Sequence, residues 1–337
     1  MIVAGIDAGT KSYDIFYLDD GDEGTIGNIS FSTEEVKKNP FCIVEALEEI
    51  KPDVAAGLSG YGLPVKSFQK LDDRDLLLMT LTKDAPSVGL RQVVQLIRRE
   101  KLPVYTIPAV IHLPTVPHWR KVNRIDMGTY DKLCSAVLAV WELSSEVPVE
   151  KLNFVLVEAG YGFNAFVAVR EGKIVDGIGG TSGFPAYSSL GCIDGELAYL
   201  LGGFSKSLLY HGGISELTGC QKERMEWLAE FTMKGVRAVE VSTSKTEIVA
   251  ASGRMFENVD FFKAFKKLAG EFGYEVKRIK GFGVAKQSAE GAAIVASGIA
   301  GGKYADIIKH MEILNVRGTV FDYLTPAIRK VINLITE

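Results

Sequence analysis

The sequence lacks the patterns of several common protein classes. It has no uninterrupted apolar run of about 18 residues, which a membrane-spanning helix needs, and its first residues lack the basic segment of a signal peptide. Its 38 basic residues are outnumbered by 42 acidic ones, whereas nucleic-acid binders concentrate positive charge. We therefore expect a cytoplasmic protein with neither a membrane nor a nucleic acid as its partner.

Cysteine is scarce and dispersed. The four cysteines are Cys42, Cys134, Cys192 and Cys220, and no two of them form a CxxC pair. A zinc site built on paired cysteines is therefore not expected. In a cytoplasmic chain we expect all four to be reduced core residues.

Two familiar nucleotide-binding signatures are also missing. No GxxxxGK[ST] occurs, and no GxGxxG follows the first predicted strand. The first absence excludes a Walker A phosphate loop. The second argues against a dinucleotide-binding Rossmann fold.

Glycine, by contrast, is abundant, and its clusters mark a repeat. The 35 glycines are about 10% of the 337 residues, whereas the average share of glycine in proteins is about 7%. When the sequence is shifted by 151 residues, Ile6-Asp7-Ala8-Gly9 aligns without a gap with Val157-Glu158-Ala159-Gly160. The later pairs Asp20-Gly21 and Glu171-Gly172 align as well. Two unrelated hairpins can share such turn residues, but an acid at the same place before Ala-Gly favours a duplicated domain.

Both aligned turns have the composition of a phosphate-binding site. Successive backbone N–H groups of a glycine-rich turn point into one concavity that suits phosphate oxygens, and glycine allows the backbone to approach closely. The expected phosphate contacts are Gly9, Thr10, Lys11, Gly160, Tyr161 and Gly162. Asp7 and Glu158, each at the end of a buried strand, are the predicted catalytic residues and Mg²⁺ ligands, with water between the metal and the carboxylate because Mg²⁺ keeps much of its hydration shell.

A third glycine element follows a buried strand in the second half. The predicted strand Ile248–Ala251 leads into Ser252-Gly253-Arg254, and a helix is predicted from about Asn258. Ligands of α/β sheets bind beyond the carboxyl ends of the strands, at helix N-termini. Ser252, Gly253 and Arg254 are therefore predicted to cover the adenine or ribose of a nucleotide, with an ordinary strand-to-helix turn as the alternative.

The order of these segments resembles the actin, sugar-kinase and acetate-kinase superfamily of ATPases. Five segments resemble motifs of this superfamily: Asp7–Ser12 its first phosphate motif, Glu158–Gly162 its second phosphate motif, Ala250–Arg254 its adenosine motif, and Met127–Val140 and Ser288–Ala300 its two connecting helices. The stretches 113–117 and 123–129 also resemble an archaeal family of predicted butyrate kinases. This sequence departs from the superfamily pattern in having Glu158 where many members have Asp, and one glycine in the adenosine motif where many have two.

The resemblance implies a fold, a cofactor and a division into domains. The implied fold is α/β, with duplicated actin-like (ribonuclease H-like) domains and an interdomain nucleotide cleft that closes over ATP and Mg²⁺. The N-terminal domain would span residues 1–145 and the C-terminal domain residues 151–337. The implied activity is an ATP-dependent phosphotransferase, that is, a small-molecule kinase.

The phosphoryl acceptor belongs to one of two chemical classes. A hydroxyl acceptor benefits from a carboxylate base, for which Asp131, at the start of a predicted helix, is the candidate. A carboxylate acceptor is already ionised and needs cations, which Arg120 and Arg124 would supply side by side if the basic segment 118–124 is helical. We expect a short-chain carboxylic acid, with Arg124 as a catalytic residue. The loop Gly179–Phe184 is a second candidate contact for the acceptor.

Two other functions and one assembly stay open at the level of the sequence. A hydroxyl-directed kinase would use Asp131 as its base. A nucleotide-gated conformational ATPase of the same fold would bind ATP and regulate a partner without transferring phosphate to a metabolite. A homodimer is also compatible with the sequence.

Overall fold

Two five-stranded sheets, one in each half of the chain, carry the architecture. The computed structural model describes residues 1–82, 89–243 and 246–336. Its strands are β1 (Ile2–Ala8), β2 (Ser12–Asp19), β3 (Asp22–Ser32), β4 (Val54–Gly57), β5 (Val104–Tyr105), β6 (Phe154–Ala159), β7 (Asn164–Arg170), β8 (Lys173–Ile178), β9 (Ile248–Ser252) and β10 (Glu275–Arg278). Its helices are α1 (Thr33–Lys38), α2 (Cys42–Ile50), α3 (Asp73–Thr80), α4 (Leu90–Arg99), α5 (Tyr130–Leu143), α6 (Gly195–Leu201), α7 (Gln221–Glu240), α8 (Val259–Glu271), α9 (Gln287–Ala300), α10 (Ala305–His310) and α11 (Pro326–Thr336).

The two sheets have the same strand order and the same pairing. The first runs β3-β2-β1-β4-β5 and the second β8-β7-β6-β9-β10. In each, the first strand pairs antiparallel with the second and parallel with the fourth. Even the turns match, because Gly9 N donates to Ser12 O at 3.0 Å and Gly160 N to Phe163 O at 2.9 Å, at positions 151 residues apart. The predicted α/β fold of duplicated domains is confirmed.

The longest described helix, α7, extends well past its prediction. The sequence predicts a helix over 223–231, whereas α7 runs through residue 240 and buries Met225, Leu228 and Val236 on one side. These residues contribute to the core under the second sheet. Among the described helices, none combines the length and the apolar character that crossing a membrane requires.

The chain divides into two compact units, but not at the predicted boundary. Unit 1 comprises Met1–Ile125, Thr129–Ser145 and Lys280–Glu337, and unit 2 comprises Asp126–Gly128 and Glu146–Ile279. The prediction assigned residues 280–337 to the C-terminal domain. They belong to unit 1 because α9 packs against β1, β2, β4 and α5.

Small residues allow α9 to lie unusually close to its neighbours. A Cβ added to Gly5 of β1 would collide with the carbonyl oxygen of Ala289, and one added to Gly291 would collide with the carbonyl oxygen of Cys134 in α5. Close packing is what the Ala- and Gly-rich sequence of this helix predicts. The interior glycine costs about 1 kcal/mol in helix propensity, and the approach of α5 explains its presence.

The cysteines lie in different environments. Cys134 is buried and Cys42 partly buried, whereas Cys192 and Cys220 are exposed. The expectation of four core cysteines is therefore wrong for the last two. Cys220 stands just before α7, where its backbone N–H donates to the Glu223 carboxylate at 2.8 Å, and Cys192 lies in an irregular segment.

Candidate functional site

The first predicted phosphate turn joins β1 to β2 in unit 1. Thr33, at the start of α1, holds it in place: its N–H donates to Lys11 O at 3.0 Å and its hydroxyl donates to Gly9 O at 3.1 Å. Thr10 and Lys11 are exposed at the tip of the turn. The turn is therefore a supported, accessible loop at the carboxyl end of a buried strand.

Asp7 lies at the end of that strand with one carboxylate oxygen unsatisfied. The residue is 3% exposed, and its Oδ2 accepts a hydrogen bond from Lys286 Nζ at 3.0 Å. Among the described residues, none donates a hydrogen bond to its buried Oδ1. Burial raises the pKa of the Asp7 carboxyl, the Lys286 ammonium opposes this rise, and the charge of Asp131 adds to it.

Lys286 is one of the residues of this site that the sequence analysis does not single out. It immediately precedes α9, yet its ammonium also lies 2.8 Å from Asp14 Oδ2 and donates to Ser12 O at 2.9 Å. Burial alone would lower the pKa of Lys286, but the carboxylates of Asp7 and Asp14 outweigh it and raise the pKa. The available signal was a single lysine at the start of a helix otherwise rich in alanine and glycine.

The start of α5 is attached to the same strand end. The Tyr130 hydroxyl accepts from Ala8 N at 3.0 Å and donates to Ile6 O at 3.3 Å. The next residue, Asp131, accepts hydrogen bonds from Thr129 Oγ1 and from Lys132 Nζ. Burial raises the pKa of Asp131, but the charge of Lys132 and these hydrogen bonds outweigh it, so the pKa lies below its ordinary value.

This cluster of unit 1 has the donors that Mg²⁺ prefers. It contains the carboxylates of Asp7, Asp14 and Asp131 against the ammonium groups of Lys286 and Lys132. Within the part of the chain that the structure describes, no three acidic, histidine or cysteine side chains are arranged as a metal cage. Magnesium is commonly bound by one or two carboxylates together with substrate phosphates, and the orphaned Asp7 Oδ1 fits that mode.

The second predicted phosphate turn repeats the backbone of the first with different side chains. Glu158 stands opposite Ala165 in the strand register, as Asp7 stands opposite Asp14. The carbonyl oxygens of Tyr161 and Gly162 accept from the N–H groups of residues 188 and 189, at 3.2 and 3.1 Å. Tyr161 is 40% exposed, so this turn too has an accessible tip.

The predicted adenosine motif is a strand-to-helix turn in unit 2. Ser252 ends β9, a 3-10 turn follows over Arg254–Glu257, and the Asn258 side chain caps α8 by accepting from Phe261 N at 3.0 Å. Gly253 has a φ of 99°, and an added Cβ would collide with the backbone of Ala159 in β6. Close strand packing explains this glycine, and its contact with a nucleotide stays a prediction.

The basic segment before α5 is not a helix long enough to pair its arginines. It forms one 3-10 turn over His118–Lys121, and Asn123 adopts a left-handed φ of 54° before Arg124. The condition under which Arg120 and Arg124 would lie side by side, a helical segment, is therefore not met. Lys121 is also no surface cation, because its ammonium is buried against Leu113 O at 2.7 Å, and burial lowers its pKa to about 8.

The loop Gly179–Phe184 is tied to Asp126 within unit 2. The buried Asp126 carboxylate accepts hydrogen bonds from the N–H and the hydroxyl of Thr181, both at 2.9 Å. The backbone carbonyl oxygen of Asp126 accepts a hydrogen bond from Gly179 N at 3.2 Å. An added Cβ on Gly179 would collide with the same carboxylate. Packing on Asp126 thus accounts for the glycine and threonine of this loop.

A family model covers almost the whole chain. The model described as "Protein of unknown function (DUF1464)" matches residues 5–326. The chain belongs to this family. A comparison with curated proteins found no match.

Solved structures show which fold the DUF1464 chain shares. Acetate kinase from Porphyromonas gingivalis is similar with a TM-score of 0.58 and 11% identity, over 89% of this chain and 99% of that one. Acetate kinase from Entamoeba histolytica is similar with a TM-score of 0.56 and 14% identity, over 81% and 87% of the two chains. The likeness confirms the predicted actin-like fold.

Within unit 1, the structure brings together part of the predicted site and adds to it. Asp7 and Gly9, from the first phosphate motif, and Asp131, from the start of the following connecting helix, lie together at the end of β1. Three side chains that the sequence did not single out, those of Asp14, Lys132 and Lys286, complete the cluster. Glu158 and the adenosine segment form the corresponding edge of unit 2, where Glu158 stands opposite Ser252 in the parallel register.

Proposed function

We propose that this DUF1464 chain is an ATP-dependent phosphotransferase of the cytoplasm whose acceptor is a short-chain carboxylic acid. The observation that carries the proposal is the repeated turn: a strand that ends in an acid, followed by a glycine-containing loop with an accessible tip, at two positions 151 residues apart. Such turns suit phosphate oxygens. The acid of the first turn also keeps a buried oxygen for which the described residues provide no partner.

The residues divide the proposed work between binding and orientation. The turn residues Gly9, Thr10, Lys11, Gly160, Tyr161 and Gly162 would bind phosphate oxygens, and Ser252, Gly253 and Arg254 would bind the nucleoside. Asp7 and its equivalent Glu158 are the proposed Mg²⁺ ligands. The metal, bound with the nucleotide, would offset charge on the transferring phosphoryl group.

Two lines of support favour a carboxylate over a hydroxyl acceptor. The two similar solved structures described above are acetate kinases, and acetate is a carboxylate. In this chain, Asp131 is hydrogen-bonded by Thr129 and ion-paired with Lys132, and its lowered pKa makes it a weaker base for a hydroxyl proton. Arg124, which is exposed, is the proposed cation for the acceptor, since its planar fork can bind carboxylate and phosphate oxygens together.

Thermal unfolding followed by an acceptor assay tests this function. ATP with Mg²⁺ at a hundredfold excess over its Kd should raise the Tm by about 5 °C, whereas ATP with a chelator should raise it less. ADP release should then depend on added acetate or butyrate, and hydroxylamine should trap the product as a hydroxamate, which a phosphate ester does not form. Arg124→Ala should lower this turnover about a hundredfold with ATP affinity nearly unchanged.

Several outcomes would contradict the proposal. The absence of a Tm shift at millimolar ATP would argue against nucleotide binding. Slow ADP release that no acceptor accelerates would identify a conformational ATPase instead. If Asp131→Asn abolished activity while Arg120→Ala and Arg124→Ala had no effect, the acceptor would be a hydroxyl and Asp131 its base.

A further inference from the structure

The segment before α9 fixes the backbone from which Lys286 extends. Two carboxylates accept hydrogen bonds from its backbone N–H groups: Glu142 from residues 280 and 281, at 2.9 and 2.7 Å, and Glu290 from residues 282, 284 and 285, at 2.8 to 2.9 Å. Glu290 itself is fully buried. The position of Lys286 is therefore built into the fold and does not depend on a loosely held loop.

The Lys286 ammonium is fully engaged where it lies. Its three contacts, Asp7 Oδ2 at 3.0 Å, Asp14 Oδ2 at 2.8 Å and Ser12 O at 2.9 Å, match the three N–H donors of an ammonium group. Its side chain is 19% exposed. The absence of a side chain at Gly9 leaves room for the Lys286 ammonium, because a Cβ added to Gly9 would lie 2.6 Å from Lys286 Nζ.

The two carboxylate oxygens of Asp7 have different surroundings. Asp7 Oδ2 is held by the ammonium, whereas Oδ1 is buried and accepts no hydrogen bond from the described residues. Like charges at neighbouring oxygens repel strongly in a site with little water. A divalent cation at Asp7 would therefore be opposed by Lys286 unless negative charge arrived with it, as the phosphates of a nucleotide would provide.

We propose that the Lys286 ammonium competes with free divalent cations for the Asp7 carboxylate, so that this site accepts Mg²⁺ together with a polyphosphate and rejects the metal alone. Lys286 is thus a specificity-determining residue for the form in which the metal binds. The inference rests on the proposed nucleotide function, because that function supplies the polyphosphate. The test of this inference needs no nucleotide, so the inference about Lys286 and the proposed nucleotide function can fail separately.

The experiment measures Mn²⁺ binding by electron paramagnetic resonance of the free ion, without nucleotide. Lys286→Gln should bind Mn²⁺ roughly tenfold or more tightly than the wild type, because the opposing charge is gone. Lys286→Arg keeps the charge and should bind Mn²⁺ as weakly as the wild type. Lys37→Gln removes an exposed lysine of α1, which forms an ion pair with Glu34 on its own helix at 2.8 Å, and should leave Mn²⁺ binding unchanged.

Two further variants keep the test decisive. Lys286→Gln combined with Asp7→Asn should lose the gain in Mn²⁺ affinity, which locates the metal at Asp7. Lys286→Gln combined with Asp14→Asn restores the net charge of the cluster, so it is expected to fold even if the single variant does not, and it should retain the gain. Equal Mn²⁺ affinity of the wild type and the folded variants that carry Lys286→Gln with Asp7 intact would overturn the proposal, and so would a gain that survives Asp7→Asn.

Discussion

The two glycine turns share the same backbone hydrogen bonding but differ in the side chains around their acidic residues. Their strands pair in the same register and their turn hydrogen bonds differ by 0.1 Å in length. In the first, Asp7 faces Asp14 across the strand pair and the Lys286 ammonium joins both. In the second, Glu158 faces Ala165, which is fully buried. The duplicated sheet therefore fixes where an acid stands, while residues from other elements decide how that acid is used.

The comparison also explains how two acids tolerate each other in unit 1. Side chains directly opposite in an antiparallel pair lie on the same face, and like charges there are destabilising. Lys286 removes this repulsion from outside the sheet, at the start of α9. Without an equivalent acid at Ala165, the second turn has no need of such a cation.

Placing the missing acid in the second turn should give the largest effect. Ala165→Asp would bury a carboxylate directly opposite Glu158, and an uncompensated buried charge costs about 3–5 kcal/mol. Urea unfolding should show this loss of stability. Ala165→Asn has nearly the same size without the charge and should cost clearly less. Equal costs for the two variants would mean that packing, and not charge, separates the two turns.

Neutralising each acid in turn compares their roles in turnover. Asp7→Asn should lower the turnover about a hundredfold, and Glu158→Gln about tenfold, with smaller effects on ATP affinity, because both acids are proposed to position the metal. The larger effect is expected at Asp7, which is 3% exposed, whereas Glu158 is only partly buried. Steady-state kinetics and ATP titration measure the two quantities. Full activity in both variants would refute the paired-turn interpretation.

The smallest effect is expected from the turn glycines. Gly9→Ala would place its Cβ 2.6 Å from the Lys286 ammonium and 3.1 Å from Ser12 O, whereas the atom nearest to the new Cβ in Gly160→Ala is the equivalent Phe163 O, at 3.0 Å. Displacing the ammonium should lower the free energy of unfolding by about 1 kcal/mol, and the second substitution by about half as much. Denaturation midpoints of the two variants provide the measurement. A larger loss for Gly160→Ala would show that the ammonium adapts at no cost.

The sequence was sufficient for the repeat and insufficient for the cluster. The acid-Ala-Gly pattern is local, so aligning the sequence with itself identifies both turns and the 151-residue offset between them. The small residues of α9 likewise predict close packing of this helix. Lys286 meets Asp7 from 279 positions away along the chain, and no local pattern encodes such a contact. The same limit explains why residues 280–337 were assigned to the wrong unit.

Irregular backbone was the other source of error. The arginines at 120 and 124 are spaced for a helix, but the 3-10 turn ends at Lys121, and Asn123 then adopts a left-handed φ before Arg124. Strand β3 was not predicted, because its apolar residues Ile26, Ile29 and Phe31 do not alternate regularly and the rest of it is polar. Contacts outside each segment decided both cases. The strand β3 gains its hydrogen bonds from β2, and Asn123 donates its N–H to Tyr323 O at 3.0 Å and accepts from Thr325 N at 2.8 Å.

The division of unit 1 into separate segments sets an order of events during synthesis. Unit 2 is one continuous stretch apart from residues 126–128, so nearly all of its contacts can form as soon as residue 279 has left the ribosome. Unit 1 must wait for α9, the helix that lies directly on Gly5 of β1. Until then the face of β1 that α9 covers stays bare, and exposed apolar surface of this kind makes a growing chain prone to aggregation. The part of the chain made first is thus the part whose folding is completed last.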